Sequence, residues 1–505
     1  MNQIRAGAVL NYVIIALNIL SGLLYTPFML RSLGQNEYGL YALVGSIISY
    51  LTLLDFGFGS AIVRYTARTR ATGTKQDEWS LYGMFISGYV IIGLLVTIAG
   101  IILYFNVDRM FDRTMTLEEL RTARIMMAIL VFNLAITFPL SVFGAIINAY
   151  ERFVFSRLLS IIRIILCTGV LIAVLFMGYK AIGLVVVQTV FSLGTLAVNV
   201  IYCKVKLKIH ISFKNFNWFL LREIMFFSWW NFLGSIVTKI YWSTGQFILA
   251  SLCGAVAVAI YSLAVSITGM YFTMSESLNS VLLPRLTKLA VSRENDKEIS
   301  DIFIRTGRLQ FCVLALVLSG FIVFGKSFIS LWAGAGYDES FVITLMFFAV
   351  LLCPLIQNVG IFILVARGTV KFRSLCLLFI ALFCCLFQYI FARSMGAIGC
   401  GIGVTLALFI GQWLIMNIYY QKYHRIDIIS FWRHIIRMAI VPIIITGASV
   451  VIAMLVDIDS WLKFAIGILM FICVYLPLFW KFSMNRYEHE LVTEPLGRVF
   501  HLRKR

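Results

Sequence analysis

The chain has 505 residues, 61% of them hydrophobic and only 13% charged, with a mean hydropathy of +0.94 and a formal net charge of +19. A soluble domain with that composition would expose large apolar patches, so the composition excludes a soluble enzyme and defines an integral membrane protein. The ten cysteines sit in or at the ends of apolar runs without a C-x-x-C pair, which suggests neither a disulfide framework nor a zinc site.

The first apolar run, Ala6 to Leu30, is too long for the core of a signal peptide. It also lacks a basic cluster before it and a small-x-small site after it, so it is expected to remain as a helix. Runs of about 20 apolar residues then place spans near 7–30, 39–62, 81–105, 123–147, 158–178, 181–202, 224–247, 250–282, 306–332, 340–366, 374–392, 396–420, 435–456 and 460–481. The expected fold class is an all-α polytopic membrane protein with about fourteen transmembrane helices. With the N-terminus inside, most of the 42 Lys and Arg fall in internal segments, among them Arg64, Arg68, Arg70, Lys75, Lys204, Lys206, Lys208, Lys422, Arg425 and Arg433. That asymmetry is the positive-inside pattern, and an even number of spans puts both termini in the cytoplasm. The net charge therefore reflects topology and attraction to anionic lipid, and nucleic acid is not an expected partner.

The spans contain charges that need explaining. Arg31 closes the first, Asp55 lies inside the second and Arg64 closes it, while Arg163 in the fifth, Lys239 in the seventh and Glu276 in the eighth lie within apolar sequence. A charge at the centre of a spanning helix costs roughly 2.5 to 3.5 kcal/mol on insertion scales, so such groups face a partner or a watery cavity. Arg163 and Lys239 are deep enough to be expected in a cavity. Arg31 and Arg64 are near span ends, where they either line the cavity or snorkel to an interface. Asp55 and Glu276 read as ion-pair partners that stabilise the helices or as proton carriers in an antiport cycle. Arg285 and Arg308 border an internal loop and are expected at the interface. Prolines 27, 139, 354, 442 and 477 also lie in spans, and Pro27, one turn before Arg31, is the best-placed hinge.

Two tempting motifs are declined. Gly320 to Ser327 fits the phosphate-loop pattern, but it lies inside an apolar span without the strand and free amides that phosphate binding needs. Asp457 and Asp459 resemble a metal-binding acid pair but fill a tight hairpin between the last two spans without a nearby histidine. The longest external loop, Asn106 to Arg121, mixes four acids with three arginines and contains no histidine, which leaves a polymerase or ligase little room for a site.

An internal repeat organises the spans. FMLRSLGQNEYGLYALVGSI from Phe28 matches FILASLCGAVAVAIYSLAVSI from Phe247 at Phe28/Phe247, Leu30/Leu249, Ser32/Ser251, Leu33/Leu252, Tyr41/Tyr261, Leu43/Leu263 and Ser46/Ser266, with one inserted residue. Asp55 and Arg64 recur as Glu276 and Arg285, and Pro139-Leu140 as Pro354-Leu355. An offset of six spans leaves both copies in one orientation, so the expected symmetry axis runs along the membrane normal. The expected organisation is a six-helix lobe at 1–203, a cytoplasmic linker at 204–223, a second six-helix lobe at 224–420, two further helices at 421–482 and a basic tail at 483–505.

The run Leu30-Arg31-Ser32-Leu33-Gly34 with Glu37-Tyr38-Gly39-Leu40-Tyr41, then Leu53-Leu54-Asp55-Phe56-Gly57-Phe58-Gly59 and Arg64-Tyr65, resembles the N-terminal signature of the Wzx polysaccharide flippases. These belong to the multidrug/oligosaccharidyl-lipid/polysaccharide exporter superfamily. The motif covers roughly the first seventy residues, and span count and topology extend the likeness. The resemblance implies two six-helix lobes around a V-shaped cavity in a bacterial inner membrane. It also implies alternating-access transfer of an undecaprenyl-diphosphate-linked oligosaccharide to the outer leaflet, with no catalytic residue, metal or cofactor. A polysaccharide polymerase and a chain-length protein are the implied partners beside membrane lipid. In related lipid II flippases the last two helices help form a groove for the lipid tail. A drug exporter of the same superfamily would share the lobes, but an Arg- and Lys-lined cavity repels cations.

Physical chemistry supports the implied activity independently. A glycan's hydroxyls each cost several kcal/mol if carried unpaired into hydrocarbon, and a diphosphate far more. A hydrated cationic cavity removes most of that barrier, and arginine suits a diphosphate because its fork donates in pairs and stays charged.

Overall fold

In the computed structural model, residues 3–213, 218–291, 296–367, 369–490 and 493 are described, and every regular element among them is helical. In order these are α1 (Gln3–Leu51), a 3₁₀ turn (Thr52–Asp55), α2 (Phe58–Thr72), α3 (Lys75–Phe111), α4 (Leu117–Ala149), α5 (Phe153–Phe176), α6 (Ala181–Val205) and α7 (Trp218–Cys253). There follow α8 (Ala255–Val291), α9 (Asp296–Ala333), α10 (Asp338–Ile356), α11 (Val359–Ala366), α12 (Val370–Leu408), a π-helical segment (Phe409–Ile415), α13 (Met416–Tyr423), α14 (Ile428–Leu455) and α15 (Trp461–Phe482). Among the described residues eleven helical segments are long and apolar enough to cross a membrane. The expected all-helical membrane architecture holds. Parts of the linker (214–217) and of the basic tail (491–492 and 494–505), and the side chain of Arg285, lie outside the described residues.

Helix ends are set by local capping. Thr74 with Asp77 and Thr116 with Glu119 form reciprocal capping boxes that start α3 and α4, and Ser460 accepts from the Lys463 amide at the start of α15. The capped start of α4 corrects the expected long loop at Asn106 to Arg121. Most of it is helix, only 112–116 connects α3 to α4, and Asp108 pairs with Arg124 across the two helices. In the tight hairpin after α14, Asp459 pairs with Lys463 at 2.7 Å, and that contact holds its carboxyl below the ordinary range.

Two compact units account for the chain. One comprises residues 1–262 with 388–400, and the other 263–387 with 401–505. Within the first, α1 packs on α4 to α7, and α4 fills the centre between α3 and α6. Within the second, α9 is the central helix, against α10, α14 and α15.

Proline spacing explains several tertiary contacts. A proline has no amide proton, so it leaves the carbonyl four residues earlier without its helical partner, and in hydrocarbon that oxygen needs another donor. Pro354 in α10 orphans Val350, whose carbonyl accepts from the Trp413 indole at 2.8 Å. Pro442 in α14 orphans Met438, which accepts from the Ser483 hydroxyl at 3.1 Å. Replacing Trp413 by Phe should cost about 1 to 3 kcal/mol in thermal unfolding of the purified protein. In a Pro354→Ala background the amide proton is restored and the cost of the same substitution should shrink.

Arg308, expected at an interface, is instead buried in the second unit. Its guanidinium grips Glu488 through two bonds of 2.5 and 2.9 Å and donates to the Ser483 carbonyl at 3.1 Å. Exposure of the two side chains is 8% and 1%. This ties the segment after α15 to α9. Glu488→Gln leaves a buried guanidinium without its counter-charge and should destabilise the protein by about 3 to 5 kcal/mol, more than Arg308 and Glu488 replaced together by apolar residues; chemical or thermal unfolding reports the difference.

Candidate functional site

The LLDFGFG stretch breaks the second expected span. After the 3₁₀ turn ending at Asp55, Phe56 (φ 49°) and Gly57 (φ 74°) are left-handed, and α2 starts afresh at Phe58. Glycine takes that conformation freely, whereas for phenylalanine it is strained. The Phe56 ring packs on Phe232 of α7 at 4.7 Å, which holds the conformation in place. Asp55 lies at the break, with the backbone of Gly57 and Gly59 in reach, and accepts from the Tyr89 hydroxyl at 2.5 Å. Tyr89 is fully buried and stacks on Phe138, just before Pro139. The carboxylate thus closes the start of α2 as a helix cap does, with a tyrosine as third donor.

Glu276 is treated similarly in the second unit. It lies within α8 and accepts from the Asn358 amide at 2.9 Å. Asn358 sits with Gln357 in the turn between α10 and α11, which interrupts the tenth expected span. Gln357 donates to Asn417 at 2.8 Å, and the same Asn417 oxygen takes the Trp432 indole of α14 at 3.0 Å. Asn417 also donates to the Trp413 carbonyl at 2.7 Å, beside the π-helical segment. The repeat in sequence is therefore not a repeat in local backbone: α8 runs unbroken through Glu276, whereas the chain breaks at Asp55. Among the described residues the ion pairs are Arg68–Glu223, Arg124–Asp108, Lys180–Glu37, Arg308–Glu488, Lys463–Asp459 and Arg486–Glu490, so neither Asp55 nor Glu276 is in one.

The four candidate cations occupy three settings within the first unit. Arg31 and Arg64 are exposed near the two ends of the first-to-second span hairpin, with Arg64 over the Tyr65 ring at 6.0 Å. Arg163 is exposed on α5, one turn from Cys167, and forms no ion pair among the described residues. Elsewhere on the same spans, polar groups of α1, α5 and α6 meet one another. Ser21 meets Thr168 at 3.0 Å, Gln188 donates to Tyr41 at 2.8 Å, and the buried Tyr25 hydroxyl has no partner among the described residues. Lys239 is half-buried on α7, where Tyr50 donates to its carbonyl at 3.4 Å, Ser49 meets Ser243 at 3.0 Å and Tyr50 also bonds Thr244. Pro27, the expected hinge, lies inside α1, and the residue of α1 with non-helical dihedrals is Gly34 (φ 73°, ψ 175°).

These polar neighbours were missed in sequence because hydroxyls and amides do not lower apolar periodicity much. The spacing of Ser21 and Tyr25, four apart, and Gln188 inside an apolar run were the available signals. An apolar cavity of about 300 Å³ lies within the second unit, lined from α8 by Met270 and Tyr271, from α9 by Phe321 and Phe324, and from α15 by Phe464 and Phe471. The Gly320 to Ser327 motif is ordinary α9 helix on its wall. Among the described residues no three His, Cys, Asp or Glu could hold a metal.

Long apolar helices with charges inside them define the class, a polytopic membrane protein. The chain belongs to the polysaccharide biosynthesis protein family, whose sequence profile matches residues 4–290. It is 20% identical over 327 residues to a putative O-antigen transporter of Shigella flexneri, covering 62% of this chain and 72% of that one. Its fold is similar to that of the lipid II flippase MurJ in an inward closed conformation, with a TM-score of 0.73, 17% identity and coverage of 94% and 97% of the two chains. An inward-facing multidrug exporter of the MATE family superposes with a TM-score of 0.60 and 16% identity over 81% of this chain and 95% of that one.

The geometry at Asp55 separates a structural carboxylate from a transport carboxylate. Asp55→Asn keeps an acceptor for Tyr89 and should leave thermal stability within about 1 kcal/mol, whereas Asp55→Ala strips the partner from a buried tyrosine and should cost about 1 to 3 kcal/mol. Export that survives in Asn but not in Ala identifies a cap; export lost in both, with Asn stably folded, identifies a charge that transport requires.

Proposed function

We propose that this chain is a flippase that moves an undecaprenyl-diphosphate-linked oligosaccharide from the cytoplasmic to the outer leaflet of a bacterial inner membrane by alternating access. The observation that carries the reading is the setting of Arg163. A permanent cation on an apolar span, without an ion pair among the described residues and on a helix whose neighbours α1 and α6 carry hydroxyl and amide groups, suits an anionic, hydroxyl-rich cargo. Arg31, Arg64 and Lys239 extend the cationic surface, and Glu276 and Asp55 are the acids available for ion coupling. The apolar cavity beside α15 suits the prenyl chain, which gains by staying out of water. Family membership and the greater coverage by the lipid flippase than by the drug exporter favour this over drug export.

The finer architecture follows the same reading. Fourteen crossings result if the 67-residue segment Ala6–Thr72 is divided at Gly34, the 53-residue segment Lys371–Tyr423 at Gly396, and α7 is counted. Glycines with positive φ lie within the matched repeats of both halves, Gly34 (φ 73°) and Gly254 (φ 85°), which supports two six-helix lobes at 1–203 and 224–420 related along the membrane normal. The lysines and arginines then put both termini in the cytoplasm, with a polymerase and a chain-length protein as downstream partners.

Export of an anion is helped by an inside-negative potential, worth about 2.3 kcal/mol per charge per 100 mV. In reconstituted vesicles reporting outer-leaflet exposure of the lipid-linked oligosaccharide, Arg163→Gln should slow flipping about tenfold or more, since bonds to a charged group are worth about 1.5 to 3 kcal/mol. Arg163→Lys should retain most of the rate if charge alone matters and little if paired donors matter. Collapsing the potential at matched pH should lower the rate; a rate that ignores potential and follows only a proton or sodium gradient would show that antiport drives the cycle.

A further inference from the structure

At one end of the first unit, helix ends meet around a pocket of about 630 Å³, within the roughly 300 to 1,000 Å³ typical of ligand sites. Glu37 comes from just after the Gly34 break, Glu118 from the first turn of α4, and Tyr179 and Lys180 from the turn joining α5 to α6. Below them the wall is apolar, formed by Val174 of α5 and Val186 of α6. The pocket is therefore amphipathic along the membrane normal, with both signs of charge where the apolar helices end and hydrocarbon beneath.

Its charges are unequally satisfied. Lys180 pairs with Glu37 at 3.3 Å, and the Ala181 amide donates to the other Glu37 oxygen at 3.4 Å. Glu118 has no hydrogen bond or ion pair among the described residues. The side chain of Lys180 remains 67% exposed, so it can take a second anionic partner, while that of Glu37 is only 19% exposed. The first amides of a helix lack intrahelical acceptors, and those of Ile182 and Gly183 open α6 at the pocket wall.

We propose that this pocket binds a zwitterionic phospholipid carrying a primary amine, of the phosphatidylethanolamine class. The ammonium sits on Glu118, the phosphate on Lys180 and the first amides of α6, and one acyl chain runs down Val174 and Val186. The carboxylate selects the ammonium because three N–H donors reach it, whereas a trimethylated amine offers none and holds the charge further away. The valine wall selects an intact lipid over a soluble headgroup. The site lies outside the cation settings read as cargo contacts, so it stands or falls separately from the flippase reading.

The test is retention of lipid by the full chain, purified and presented with vesicles of phosphatidylethanolamine or phosphatidylcholine, counted by native mass spectrometry. Wild type should retain the primary amine several-fold better. Glu118→Gln should remove that preference while lowering the melting temperature of the lipid-free protein by no more than the small loss of one first-turn acid, because the side chain has no hydrogen bond or ion pair among the described residues to lose. Lys180→Gln should weaken both lipids alike and keep their ratio. Equal retention of the two lipids by wild type, or a preference that survives Glu118→Gln, would overturn the proposal. So would competition by glycerophosphoethanolamine as strong as by the intact lipid, or displacement of the lipid by a soluble oligosaccharide.

Discussion

Every backbone amide and carbonyl within the hydrocarbon must find a partner inside the protein, and that constraint shapes this structure more than any single contact. Regular helix meets it without help from side chains. Each departure from regular helix leaves polar groups that the rest of the fold has to answer. The break at Phe56 and Gly57 is answered by Asp55, the prolines at 354 and 442 by Trp413 and Ser483, and the turn at Gln357 and Asn358 by Asn417 and Glu276. Several tertiary hydrogen bonds of both units thus answer places where the helices fail.

The same accounting decides the electrostatics. Had Asp55 and Glu276 paired with intramembrane cations, the membrane-depth charges would largely cancel. Instead both acids are held by neutral donors, a tyrosine hydroxyl and an asparagine amide. Arg163 and Lys239 are left without acidic partners among the described residues. A guanidinium at such depth is tolerated when an anion or water can approach it.

Much of the fold was legible in the sequence because the strongest signal, apolar runs long enough to span, is also the strongest physical determinant. The apolar windows located the helices, and the charges at 31, 55, 64, 163, 239 and 276 marked where to look. What was not legible depends on distant partners. Nothing local tells that Asp55 will meet Tyr89, or that Arg308 lies against Glu488, 180 residues away, instead of at an interface. The left-handed Phe56 contradicts local preference and is held by packing on Phe232. Gly34 was visible as a glycine, but its non-helical dihedrals inside α1 were not.

The turn between α10 and α11 shows how such a break does more than satisfy itself. In a helix, consecutive side chains point about 100° apart and usually serve different neighbours. Here Gln357 and Asn358, adjacent in the chain, connect Asn417 and the Trp432 indole of α14 on one side to Glu276 of α8 on the other. The path from α8 to α14 therefore runs through the neighbours Asn358 and Gln357 and then Asn417, over three bonds of 2.8 to 3.0 Å. Sliding α8 against α14 requires breaking at least one of them in a medium without water to replace it, where an unmet polar group costs several kcal/mol. These helices are accordingly held together by polar bonds as well as by packing, and Glu276 sits at the end of that path.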